Sequence, residues 1–400
     1  TRPAQSRGGF EPAPRLGRSG AVLVAAMVGL AAWTGATMAW SIVPDRSWDS
    51  FNRTVAYAAF LGLGIVLAAA GGRFSARLAA AMLSLVIAIT LTWALLAKAV
   101  PALDPEGDRV ARLREPVGYW NALALLADMA LALGLWLGTA RGHRRSVRIA
   151  GGLLVYVATL SLLLTLSRAG VLVGVGVLVL WLALSSERVE SGLLLLASGG
   201  PAVLVGAWAF TRPALTEDVA TRSDRVADGA VLGVLALVGA GIVAGLVALV
   251  ARRALTDEGR KRVGRGLVAL AALCAVAAVA ALGVATANAV SSGRSCSEVV
   301  NDPSRFDPSR FDPSNRLCWW SEAWDVFVGH APEGAGAGTF EIARKRYRPD
   351  ARNVLEPHSV PLQHLADGGV LALLLFLTLI GAAVAVCGCA LRRLEGPERA

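Results

Sequence analysis

Ten apolar runs divide this sequence, at 20–42, 54–70, 78–98, 121–139, 149–166, 169–184, 191–209, 230–250, 267–287 and 361–390. Most are close to the ~20 residues that a helix needs to cross a hydrocarbon core of ~30 Å. Lipid offers backbone N–H and C=O groups no partners, so such runs must be helical. The chain is therefore expected to be an all-α polytopic membrane protein of about ten transmembrane helices. Composition agrees. Charged residues make up only 17% and hydrophobic ones 55%, where soluble domains carry about one quarter charged residues.

The distribution of cations sets the expected topology. The net charge of +10 would suit nucleic acid, but most Lys and Arg lie in short loops that alternate along the chain, which is the signature of membrane orientation. With the N-terminus inside, the inner connections are 71–77 (Arg73, Arg77), 141–148, 185–190 and 251–266, the last with Arg252, Arg253, Arg260, Lys261, Arg262 and Arg265. The outer ones are 43–53, 99–120, the Ser167-Arg168 turn, 210–229 and a long polar block, 288–360. The stretch 149–184 is apolar apart from Ser167-Arg168. As one helix it would be about 54 Å long, and it would put the six-cation loop outside, so two short spans meeting at Arg168 are expected. The domain reading is then a disordered basic tail at 1–19, spans one to nine within 20–287, an extracytoplasmic catalytic loop at 288–360 between the last two spans, the last span at 361–390 and a cytoplasmic tail at 391–400. The run 20–42 is too long for the apolar core of a signal peptide.

Several residues stand out as carriers of chemistry. Arg168 lies between two apolar runs, where a cation either faces a cavity and a partner or snorkels to lipid phosphate. The segment Arg112 to Asn121, with Arg114, Glu115 and Val117-Gly118-Tyr119-Trp120-Asn121, reads by itself as an interfacial aromatic belt ending in a helix cap. In the polar block, Arg316 precedes Trp319, Trp320 and Trp324, a set suited to stacking on sugars or to anchoring at the interface. Gly334-Ala335-Gly336-Ala337-Gly338 lets backbone approach a ligand closely, but it lacks the Lys-Ser/Thr of a nucleotide loop. Arg344, Lys345, Arg346, Arg348 and Arg352 form a basic patch against Glu341 and Asp350. The three Asp-Pro-Ser units at 302–314 read as a spacer of turns. His358 follows Pro357 directly before the last span, where a base could meet a lipid-linked substrate; His143, His330 and His364 complete the histidines. The five cysteines show no metal-binding spacing, so no metal site is expected. Cys296 and Cys318 of the polar block are either a disulfide or two free thiols.

Together, Leu166-Ser167-Arg168-Ala169-Gly170, Arg316, Trp320, Ala323, Pro332, Gly334 to Gly338, Phe340, His358-Ser359, Leu362-Gln363 and Asp367-Gly368-Gly369 resemble the O-antigen ligase and O-antigen polymerase superfamily of bacterial polytopic glycosyltransferases. Arg114 to Asn121 is similar to the family's earlier Gly-aromatic-Asn segment. Ser359 stands where the family usually has Asn, and Asp367 where it has Glu. The resemblance implies an enzyme of the bacterial cytoplasmic membrane, active on its extracytoplasmic face in cell-envelope polysaccharide assembly. Without cofactor or metal, it would move a glycan from an isoprenoid pyrophosphate such as undecaprenyl pyrophosphate to a hydroxyl of a glycan, lipid or protein acceptor. His358 would be the catalytic base, with Arg168, Arg316, Arg114, Asn121 and Trp320 contacting substrate. The alternative is a carrier of a small anion similar to bicarbonate carriers. Such a carrier would place charge on broken helices near the bilayer midplane, often in repeated halves, and no internal repeat is visible.

Overall fold

The computed structural model describes residues 17–103, 111–140, 142–218, 220–250, 314–349 and 353–393, with 258–259, 261–269, 273 and 280. These residues form α1 (Arg18–Ala36), α2 (Pro44–Ala99), α3 (Trp120–Thr139), α4 (Arg145–Leu164), α5 (Arg168–Leu184), α6 (Arg188–Phe210), α7 (Pro213–Thr216), α8 (Arg222–Val250), α9 (Ser314–Gly329), α10 (Phe340–Ala343) and α11 (Val360–Arg393). No strand occurs among the described residues. Eight helical stretches are long and apolar enough to cross a membrane, and α5, with 17 residues, is a shorter apolar helix. These nine correspond to nine of the ten expected spans; the tenth, 267–287, lies largely outside the described residues, as do half of the 251–266 connection, whose described residues are helical, and Cys296 and most of the Asp-Pro-Ser units.

Two expectations are corrected. The inner connection at 71–77 is helical, because α2 runs unbroken for 56 residues. Its flanking Ala68-Ala69-Ala70 and Ala76-Arg77-Leu78-Ala79 are strong helix formers, and they carry the helix through Gly71-Gly72. Conversely, the last span is not one helix. At Gly369 the backbone takes φ 68°, ψ −162°, a region that essentially only glycine enters. The arm before Gly369 bends against the arm after it, so that His364 stacks on Phe376 with ring centroids 4.7 Å apart.

The chain divides into two units, 77–280 and 1–76 with 281–393. The first is a helix bundle. On α3, Leu123, Ala124, Ala127, Ala130, Leu131, Gly134, Leu135 and Gly138 are buried, the three- and four-residue spacing of one helix face. That face meets α4, α5 and α6, and its core adds Val155 and Ala158 of α4, Ala202 of α6 and Val243 of α8. In lipid, helices gain from close packing of small residues, and α3 and α4 show it. A Cβ added at Gly134 would lie 2.9 Å from the Gly151 carbonyl oxygen, and one at Gly151 would run into the Gly138 backbone. Gly151→Leu must therefore separate the two backbones. Its expected result is a loss of about 3 kcal/mol or more, at the upper end for overpacking, read as a lower thermal midpoint of the purified protein in detergent. Gly176→Leu on α5, where a Cβ meets nothing, is the matched control.

In the other unit α1 packs along α11, with Trp33 Nε1 donating to the Gly368 carbonyl at 2.7 Å. A smaller core of Ala323, Val326, Ala335, Phe340, Ala343, Val354 and Ala366 joins α9 to the first arm of α11. This core brings the polar block's candidate residues together.

Candidate active site

Within the bundle unit, α4 ends at Leu164 and α5 begins at Arg168, so the expected break at Ser167-Arg168 is present. Ser167 caps α5: its hydroxyl accepts from the Gly170 N–H at 3.0 Å and donates to Asn121 Oδ1 at 2.7 Å. Asn121 Nδ2 in turn donates to the Tyr119 hydroxyl at 2.7 Å. Leu113 N–H donates to the Leu164 carbonyl, which ties the Arg112 to Asn121 segment to the end of α4. The bundle thus joins Asn121 to the Arg168 turn, while Arg114 pairs with its neighbour Glu115 at 3.7 Å. Arg168 itself is exposed at the first position of α5. A cation at a helix N-terminus opposes the helix dipole, so helix stability does not account for it. Leu166, two residues before, has φ 52°, a left-handed conformation that costs a branched residue about 1–2 kcal/mol. That strain is held by the hydrogen bonds of Thr165, Ser167 and Asn121.

In the other unit, the sequence places Arg316, Trp319 and Trp320 near the start of α9, and the small core brings His358 beside them. The His358 and Trp319 ring centroids are 5.0 Å apart. Arg316 and His358 are both exposed, while Trp319 and Trp320 are half-buried. His358 also has positive φ, 54°; it and Leu166 are the only non-glycine residues so placed among those described. The protein packed around the His358 ring lowers its pKa from the usual histidine value, and the Arg316 charge lowers it further, while Glu356 acts in the opposite direction. Both lowering effects favour the neutral ring, whose nitrogen lone pair can accept a proton. The other histidines are engaged elsewhere: His143 Nδ1 with the Leu137 carbonyl, His330 Nδ1 with the Val326 carbonyl and His364 with Phe376.

The glycine loop does not present its N–H groups to a ligand. Asp367, buried in the first arm of α11, accepts from Gly338 N–H at 3.0 Å and Phe340 N–H at 2.8 Å. The Ala366 and Asp367 carbonyls accept from the Ala335 and Gly336 N–H groups, and Thr37 Oγ1 accepts from Ala337 N–H. Gly334, Gly336 and Gly338 all have positive φ, which lets the loop wrap the carboxylate. This clasp fixes the arm that begins two residues after His358. The basic patch also changes. Arg344 is buried, with Nε 2.6 Å from Glu322 Oε2, so it is a structural ion pair and not part of a surface patch; Arg352 lies outside the described residues. Lys345, Arg346 and Arg348 remain accessible. Cys318 is disulfide-bonded, so of the two readings the free thiol is excluded for it; Cys296 is not among the described residues.

Three features escaped the sequence reading: the Trp319–His358 pairing, the Asp367 clasp and the Glu322–Arg344 pair. Helical spacing could have shown only which face of α9 Trp319 occupies. Cys318, Glu322, Ala323 and Val326 are all buried while Leu317, Ser321, Trp324 and Val328 are exposed, so Trp319 lies towards the inner face of α9 and Trp324 on the outer.

The predicted site residues fall in two sets, Arg114, Asn121 and Arg168 in one unit and Arg316, Trp320 and His358 in the other. No curated protein and no solved structure matches the chain. A family model does: residues 225–377, the stretch that holds Arg316, Trp320, His358 and Asp367, match O-antigen ligase. Over that stretch, in a chain with eight helices long and apolar enough to cross a membrane, the protein is similar to the O-antigen ligase and polymerase superfamily.

Proposed function

We propose that this protein transfers a glycan from an isoprenoid pyrophosphate to an acceptor hydroxyl on the extracytoplasmic face of the bacterial cytoplasmic membrane, by a single inverting displacement. His358 is the base. A hydroxyl oxygen of the acceptor forms the new bond to the anomeric carbon and the bond from that carbon to the pyrophosphate oxygen breaks. The hydroxyl proton passes to a ring nitrogen of His358, and isoprenoid pyrophosphate leaves with the bonding pair. The observation that carries the reading is His358 itself: an exposed imidazole in a strained backbone conformation, lying against Trp319 at 5.0 Å between ring centroids and placed in the field of Arg316. Strain of this kind persists where surrounding structure holds it, often at functional sites. Glu322 and Asp367, the alternative carboxylates, are occupied by Arg344 and the glycine loop.

Arg316 and Arg168 are assigned to the pyrophosphate, whose leaving oxygen gains negative charge that guanidinium groups match with paired hydrogen bonds. Trp320 is assigned to the glycan. Arg114, beside Glu115, keeps its assignment to substrate; Asn121 already spends its oxygen on Ser167 and one donor on Tyr119, which favours a positioning role at the Arg168 turn over substrate contact. The anion-carrier alternative draws no support from the family match.

The pH dependence of kcat/KM tests the base. Activity should rise as His358 loses its proton, with the acidic limb below the ordinary histidine range. Arg316→Gln removes a charge that lowers the pKa, so its limb should move to higher pH. Glu356→Gln removes a charge that raises it, so its limb should move to lower pH. A limb that stays in place in both variants belongs to another group.

A further inference from the structure

The Tyr119 ring is exposed, yet held at its hydroxyl and along its face. Its hydroxyl accepts the Asn121 Nδ2 hydrogen bond. Its ring lies against Trp120, centroids 5.2 Å apart at 49°, and the Arg112 guanidinium lies over the Trp120 ring, 4.5 Å from its centroid. Gly118 before it, at φ 79°, sets the turn that presents the ring. The same hydrogen-bond chain continues through Asn121 to Ser167, the cap of the helix that starts with Arg168. An aromatic side chain that only marks the membrane interface needs no such bracing.

We infer that Tyr119 is a stacking platform for a sugar ring, serving the donor whose pyrophosphate Arg168 contacts. A pyranose presents a face of polarised C–H bonds, and the face of an aromatic ring is negative. Tyrosine adds large contact area at small entropic cost because it has few rotatable bonds, and here its hydroxyl bond and its packing on Trp120 remove most of that freedom. The ligand class is a hexose or related pyranose linked through pyrophosphate to a lipid. The proposal rests on the donor reading given above, and the test separates the two.

The full chain in lipid nanodiscs is titrated with two ligands, isoprenoid pyrophosphate alone and the same lipid carrying a glycan. Tyr119→Ala should bind the bare lipid pyrophosphate like the parent and bind the glycan-bearing lipid about tenfold more weakly, the loss expected for one aromatic contact. Tyr119→Leu, which keeps apolar volume but has no π face, should show the same selective loss, and Tyr119→Phe should bind the glycan lipid within about twofold of the parent. Equal losses for both ligands in Tyr119→Ala and Tyr119→Leu would mean that the ring supports the fold or touches lipid, and unchanged binding would mean that it touches nothing; either result overturns the platform. Parent protein that binds neither ligand, or Arg168→Ala that binds bare lipid pyrophosphate undiminished, would instead overturn the donor reading beneath it.

Discussion

His358→Ala should lower glycan transfer by about 10²–10⁴-fold, the range for loss of a general base, while donor affinity stays near that of the parent. The base is needed only as the hydroxyl proton moves, so its loss falls on turnover and not on the ground-state complex. The remaining variants should divide differently. Arg316→Ala and Arg168→Ala should weaken donor binding and lower turnover together, since the pyrophosphate is anionic before and during the reaction. Arg→Lys at either position should rescue only in part, because an ammonium cannot reproduce the planar fork. Trp319→Ala removes the ring beside His358 and should act on turnover with little effect on donor affinity. Single-turnover kinetics with separately measured donor binding distinguish these outcomes, and full activity in His358→Ala would remove the residue from the chemistry.

The Glu322–Arg344 pair should dominate the stability of the smaller unit. Both side chains are nearly inaccessible, at 5% and 1% exposure, so Glu322→Ala leaves a guanidinium in the interior without its carboxylate. Breaking a buried pair from one side costs about 3–5 kcal/mol. The double variant Glu322→Leu with Arg344→Met removes both charges and should recover most of that loss, because paired burial is close to neutral against a well-packed apolar replacement. Thermal midpoints for Glu322→Leu, Arg344→Met and the double variant form the cycle. A double variant whose loss equals the sum of the losses of Glu322→Leu and Arg344→Met would show that the two charges act independently.

How far the sequence alone could be read depended on the range of the signal. Span positions follow from local hydrophobicity, so nine runs reappear as helices. The break at Ser167-Arg168 followed from helix length and returned as the start of α5. The long helix through 71–77 was missed because two adjacent glycines and two arginines suggest a loop, whereas neighbouring alanines and leucines favour continued helix. The kink at Gly369 and the clasp around Asp367 depend on hydrogen bonds between residues 27 and 29 apart in the chain, which no local pattern encodes. The same holds for Arg344: five cations in nine positions read as a surface patch, and only the fold shows that Glu322, 22 residues earlier, takes one of them inside. The candidate site divides in the same way. Residue types and the family pattern singled out Arg316 and His358, but the placing of His358 against Trp319 required α9 and the first arm of α11 to share a core.

The central claim is glycan transfer from a lipid pyrophosphate, and its most direct test is a reaction in which both products are followed. Purified full-length protein is incubated with a glycan-bearing isoprenoid pyrophosphate and an acceptor glycolipid, in the presence of a chelator, and free isoprenoid pyrophosphate and extended acceptor are measured by mass spectrometry. Release of isoprenoid pyrophosphate in equal amount to extended acceptor, abolished in His358→Ala, is the predicted result. Intact donor after prolonged incubation with competent acceptor, or product formed equally well by His358→Ala, would contradict it.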